Sequence, residues 1–182
     1  MRRVSRTAAL FSFLAVALAV ALAVLAVNLR APRTLRQPVD TAIPGTELRT
    51  VLVQYLAADS LALVPLPREA MVSEGRRGLV RDLVAHLATV PEGFRAPLAP
   101  GTHLLHYFEA EGGGAVIDLS AEMGTLSAQS IEEERLRLAA LVRTVADNVD
   151  GVKRLRFLVQ GNPMDRWGRH LRPGPWLEVD AW

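Results

Sequence analysis

Four histidines, a glutamate run at 132–134, an Asp-x-Ser at 118–120, a glycine run at 112–114 and two arginines at 154 and 156 are the groups in this 182-residue chain that could do chemistry. His103 and His106 stand three apart in a strand-like stretch, where alternation sends them to opposite faces. His86 and His170 have no ligand spacing to either, and zinc needs three or four converging ligands, so no metal site is expected. Asp118 and Ser120 lack the Gly-x-Ser-x-Gly setting of a nucleophile elbow; they are expected to accept backbone hydrogen bonds in the turn after a strand. A phosphate loop leads into a helix, whereas Gly112–Gly114 leads into the β-rich Ala115–Leu119, so these glycines are expected in a hairpin turn.

Glu132, Glu133 and Glu134 fall in the first turn of a predicted helix, where carboxylates favour the positive end of the macrodipole. With Glu133 and Arg137 as a surface i,i+4 pair, a solvated helix start is expected. Arg154 and Arg156 alternate with Leu155, Phe157 and Val159 and form, with Lys153 beside them, a polar sheet face. That face is either uncovered or a contact surface for a partner or an anionic polymer; Trp167 and Trp176 are the next surface candidates. No acid, base and nucleophile converge, so the chain is read as a non-enzyme without a cofactor.

The elements that must carry these residues follow from periodicity. Leu48–Leu56 reads as a strand with Val51, Val53 and Tyr55 on one face, and Leu61–Leu66 as a second strand that Pro65 confines to an edge. Leu79, Val80, Leu83, Val84 and Leu87 then recur at helical spacing over 76–89, with Arg77, Arg81 and Asp82 on the solvated side. Thr102–Glu109 and Ala115–Leu119 flank the glycine turn as a β-hairpin. Ser130-Ile131-Glu132-Glu133 has the form of a capping box. It opens a helix to Asn148 whose stripe is Ile131, Leu138, Leu141, Val142, Val145 and Val149, and Val152–Gln160 is the last strand. The expected fold class is α+β, two-layer: a mixed β-sheet with two helices on one face, in ββα-ββα-β order, preceded by one transmembrane helix.

That transmembrane helix is the stretch Thr7–Leu29, which holds no charge and follows Arg2, Arg3 and Arg6. At about 1.5 Å per residue, roughly 20 apolar residues span a bilayer core of about 30 Å. A cleavable signal peptide is the alternative, but its apolar region is usually shorter. The chain therefore divides into a cytoplasmic tail 1–6, a transmembrane helix 7–29, a proline-bearing linker 30–46, a domain 47–177 and a tail 178–182, with the domain outside the cytoplasm of a single-pass inner-membrane protein. Six of the 21 Lys plus Arg flank the apolar stretch, leaving 15 against 18 Asp plus Glu in residues 47–182, a net charge of −3. Nucleic acid is excluded as a partner by that balance, and the flanking arginines are suited to anionic lipid head groups. With no cysteine, disulfides and thiolate chemistry are excluded.

Taken in order, several short motifs resemble the GerMN domain, the sporulation and spore germination domain, over roughly Val51–Leu177. They are Leu63-Val64-Pro65, the helix with Leu83 and Leu87 running to Pro91-Glu92-Gly93, Leu98-Ala99-Pro100-Gly101-Thr102, and Ala115-Val116-Ile117-Asp118-Leu119-Ser120. Leu138–Val145, Asp150-Gly151-Val152 and Phe157-Leu158-Val159-Gln160-Gly161 complete the likeness. Where the family often has a Gly-His pair, Gly168-Arg169-His170 carries an inserted arginine. The resemblance implies a non-catalytic protein-interaction or assembly module of the bacterial cell envelope, with the membrane and other envelope proteins as partners and room for a homo-oligomer. A second reading, from another class, is an extracytoplasmic sensory module that recognises a cell-wall fragment.

Overall fold

The computed structural model describes residues 47–182, so the tail 1–6, the apolar segment 7–29 and the linker 30–46 expected above lie outside the described residues. Among the described residues, no helix is long and apolar enough to cross a membrane. The described residues form two α-helices, two short 3-10 helices and two sheets, a mixed α+β fold. Strands β1 (Glu47–Ala57) and β2 (Leu63–Val72) are followed by helix α1 (Gly75–Ala88), a two-residue strand β3 (Phe94–Arg95), and the hairpin β4 (Leu104–Ala110) and β5 (Gly114–Leu119). Helix α2 (Ile131–Asn148) leads to β6 (Arg154–Val159) and two short strands, β7 (Asn162–Pro163) and β8 (Leu177–Glu178). The expected ββα-ββα-β order is thus interrupted by β3 and extended by β7 and β8. Residues this short carry no periodicity that a sequence could reveal.

The single sheet expected is divided into an antiparallel sheet, β2-β1-β3, and a mixed sheet in which β4-β5-β6 continues to β7 and β8. The reason lies in what occupies the second edge of β1. Asn148 Oδ1 accepts the Leu52 N–H at 3.0 Å while Asn148 Nδ2 donates to the Leu52 carbonyl at 2.7 Å, and the Gln54 N–H donates to Thr144 Oγ1 at 2.9 Å. Helix α2 therefore takes the place of a neighbouring strand along the middle of β1. Asn148→Ala is expected to remove the partner of both Leu52 groups and to lower stability by about 1 to 3 kcal/mol, since a typical hydrogen bond contributes about 0.5 to 1.5. Urea unfolding and faster exchange of the Leu52 amide check this.

β2 runs to Val72, beyond the expected end at Leu66 and through both Pro65 and Pro67. The register pairs Gln54 with Pro65 and Leu52 with Pro67. At those two positions the backbone of β1 faces α2, so the paired prolines face the opposite, outer edge, where a missing N–H removes no ladder bond. Further along that edge, Met71 N–H donates to Asp82 Oδ2 at 2.7 Å, and His86 Nε2 reaches the Glu69 carbonyl at 3.0 Å. Asp82, expected to be solvated, instead closes the strand edge.

Elsewhere the periodicity reads through. Leu79, Val80, Leu83, Val84 and Leu87 are buried on α1, and Leu138, Leu141, Val142 and Val145 on α2. One hydrophobic cluster joins them to Val51, Val53 and Tyr55 of β1 and to Ile117, Leu155 and Phe157 of the second sheet. Ile131, included in the stripe, is 49% exposed, because as the first helical residue it sits beyond the edge of this core. The hairpin forms around Gly112 and Gly113, both at positive φ. Gly113 is required twice over, as a Cβ there would lie 2.7 Å from the Gly151 carbonyl. Glu178–Trp182, expected to be a tail, folds back: β8 pairs with β6, Val179 N–H donates to the Lys153 carbonyl at 2.9 Å, and Trp182 packs against the core.

Candidate functional site

At the helix start Glu133 and Glu134 are interior, against expectation, while Glu132 is exposed as expected. Ser130 Oγ accepts the Glu133 N–H at 3.1 Å, as a capping box requires, and Glu133 Oε2 reaches back to the Gln129 N–H at 2.8 Å. Glu133 is only 3% exposed, and its other oxygen takes Arg137 Nη2 at 2.7 Å with Arg95 at 3.8 Å, so the presumed surface pair is covered. Arg137 continues inward to the Ala96 carbonyl at 2.9 Å. Burial pushes the Glu133 carboxyl up, but the Gln129 amide and the two guanidinium groups outweigh it and hold it below its ordinary value.

Glu134 is fully buried and carries a loop. Its carboxylate accepts the N–H groups of Arg169, His170 and Leu171 at 2.6, 2.9 and 2.7 Å, with His170 Nδ1 at 3.1 Å. Trp167 N–H donates to the Leu171 carbonyl at 2.8 Å and closes the loop around the carboxylate. Gly168, at φ 73°, leaves the space for it; a Cβ there would stand 2.6 Å from the carboxylate. Arg169, the insertion in the Gly-His pair, supplies one of the three amides. Trp167 is fully buried with its ring tilted against Phe157 at 5.8 Å, which removes it from the surface candidates. Burial again raises the carboxyl, and the three amides with His170 overcome it, so Glu134 also ionises below its ordinary value.

The remaining reactive types are similarly engaged. Asp118 is buried, and its oxygens take the Gly161 N–H at 2.9 Å and His106 Nδ1 at 3.1 Å. Ser120 Oγ accepts the His103 N–H at 3.0 Å. Both accept backbone hydrogen bonds, but from distant segments and not from the following turn as expected. Among the described residues, no three His, Cys, Asp or Glu side chains are grouped to hold a metal ion.

Arg154 and Arg156 share a face of β6 but not a situation. The Arg154 guanidinium stacks over Trp176, 4.8 Å from the ring centroid, and its Nη2 donates to the Glu111 carbonyl at 3.3 Å. Trp176 in turn lies over Gly114, where a Cβ would meet the ring at 3.1 Å. Arg156 is half-buried beside a cleft of about 500 Å³ between β6 and the chain returning to β8, where Arg172 and Asp165 also line the wall. Neither Arg156 nor Arg172 has a hydrogen bond or ion pair among the described residues. A second open groove, of about 510 Å³, lies between the β1–β2 turn and α2, floored by Leu61, Leu136 and Trp182 and rimmed by Glu132, Arg135 and Arg143. The sequence pointed to Arg156; it held no signal for Arg172, which only the return of the C-terminal segment brings alongside.

The family model Germane, described as sporulation and spore germination, matches residues 53–165. The fold is similar to the first GerMN domain of the sporulation protein GerM from Bacillus subtilis, with a TM-score of 0.58 and 16% identity, over 71% of this chain and 97% of that one. It is also similar to the tandem GerMN domains of that protein, with a TM-score of 0.56 and 16% identity, over 74% of this chain and 48% of the other, about half of the two-domain length. No curated protein matches the chain. At these identities the likeness to the solved structures is one of fold.

Proposed function

The chain belongs to the Germane family of sporulation and spore germination, and on that premise we propose that its domain is a non-catalytic interaction module of a bacterial envelope assembly, held outside the cytoplasm by Thr7–Leu29 as a single-pass anchor. One observation carries the reading. The buried acids Glu134 and Asp118 hold backbone N–H groups and pair with His170 and His106, whereas two open concavities present arginines beside apolar side chains, with Arg156 and Arg172 unpaired among the described residues. Arginine and aromatic side chains over a desolvated floor are the usual anchors of a protein contact. Within the polar face of β6, Arg156 is the contact residue, and Arg154 holds Trp176 over Gly114.

Affinity purification of the full chain from native membranes tests this. Replacing Arg156 and Arg172 with glutamate is expected to leave the melting temperature within a few degrees of the parent, since both are unpaired, and to reduce partner recovery. A folded double variant that retrieves every partner of the parent would move the contact to the α2 groove or abandon the module.

A further inference from the structure

We propose that the cleft beside β6 binds an acidic peptide segment of a partner protein, with a carboxylate on Arg156 and Arg172 and a neighbouring apolar side chain against Phe157 and Met164. This rests on the interaction-module reading and names what that surface takes. The outer edge of β6 is covered by two strands of two residues each, β8 against Arg154 and Leu155 and β7 against Leu158 and Val159. Between them, Arg156 and Phe157 pass without a strand partner, and the cleft opens at this gap. Only Met164 reaches across, its N–H donating to the Phe157 carbonyl at 3.3 Å.

Charge selects the ligand. Among the described residues, the other half-buried guanidinium groups are engaged: Arg68 over Tyr55, Arg81 by Glu74, Arg95 by the Ala58 carbonyl, Arg137 by Glu133, and Arg154 over Trp176. Arg156 is half-buried, so it has given up part of its hydration without gaining an anion in exchange. A planar carboxylate accepts two parallel N–H bonds from such a fork. With Asp165 in the wall, the cleft holds a single excess positive charge, which one carboxylate neutralises and a phosphate dianion would overbalance. The Pro173-Gly174-Pro175 wall is poor in backbone donors, because proline has no N–H, so the arginines must supply the polar contacts. A volume of about 500 Å³ has room for more than an isolated anion, and the Phe157 and Met164 surfaces accommodate the apolar neighbour.

The test uses the full chain in mild detergent and a fluorescein-labelled hexapeptide of alternating glutamate and leucine, followed by anisotropy. The peptide is expected to bind, to weaken as salt is raised, and to weaken roughly tenfold or more in the Arg156→Glu, Arg172→Glu variant. Arg156→Gln, which keeps the side-chain size, is expected to lose most of the same affinity with an unaltered melting curve. A lysine–leucine peptide is expected not to bind. The proposal is overturned if the glutamate–leucine peptide fails to bind, if the variants bind it as the parent does, if the lysine–leucine peptide binds as tightly, or if equimolar inorganic phosphate displaces it. Loss of native partners in the double variant without any peptide binding would sink the acidic ligand and leave the module standing. Peptide binding with undiminished partner recovery would support the ligand and remove this cleft from the assembly contact.

Discussion

Glu134→Ala is expected to destabilise the domain by roughly 3 to 5 kcal/mol, because three backbone donors lose their acceptor at once and each unsatisfied buried group costs about 1 to 3 kcal/mol. The loss should be concentrated in the 167–171 loop, whose amides converge on that carboxylate. Glu134→Gln keeps one acceptor oxygen and should lose about half as much. The pH dependence has a definite sign. The folded carboxyl is depressed, so the stabilisation is whole above the unfolded value near 4.5 and is lost as pH falls through the folded value. Glu133 is shifted in the same sense, so the parent should lose stability steeply in acid, and Glu134→Gln should flatten only part of that fall. Urea midpoints across pH 3 to 7 measure both effects; a slope identical in parent and Gln variant would exclude Glu134 as a contributor.

Leu141→Ala is expected to cost about 2 to 5 kcal/mol, the range for removing a leucine from a core that collapses only in part. Leu141 is completely buried in the cluster that α2 shares with both sheets, so a cavity there has no flexible surface chain to fill it. Leu136→Ala, in the open groove on the same helix, should cost much less. A thermal or urea melt of both variants checks the contrast, and equal losses would show that the helix faces are assigned wrongly.

What could be read from the sequence was local. The five apolar positions of α1, the glycine hairpin and the Ser130 cap each depend on residues within a few positions of one another, and each forms. What could not be read depends on partners far along the chain. Glu134 has its three amides some 35 residues away, Asn148 meets Leu52 across 96 positions, and Arg172 reaches the Arg156 cleft only through the C-terminal return. One signal was nevertheless available. Glu134 precedes Leu138 by four and Leu141 by seven, so it lies on the apolar stripe itself, and a carboxylate there has to find donors inside the domain. The extension of β2 through two prolines had a comparable clue in their spacing of two, which places both missing N–H groups on one edge.

The closed margins of the first sheet bear on how copies of this domain behave when many share one surface. An open strand edge is a template on which a second chain can lay a strand, and from which a third can continue, so high local density turns it into a seed for irreversible polymer. Here the outer margin of β2 offers two prolines, a carbonyl held by His86 and an amide held by Asp82, while the middle of β1 is occupied by Asn148 and Thr144. Copies that approach across these margins therefore meet through side chains. Contacts of that kind form and separate without rewriting the backbone.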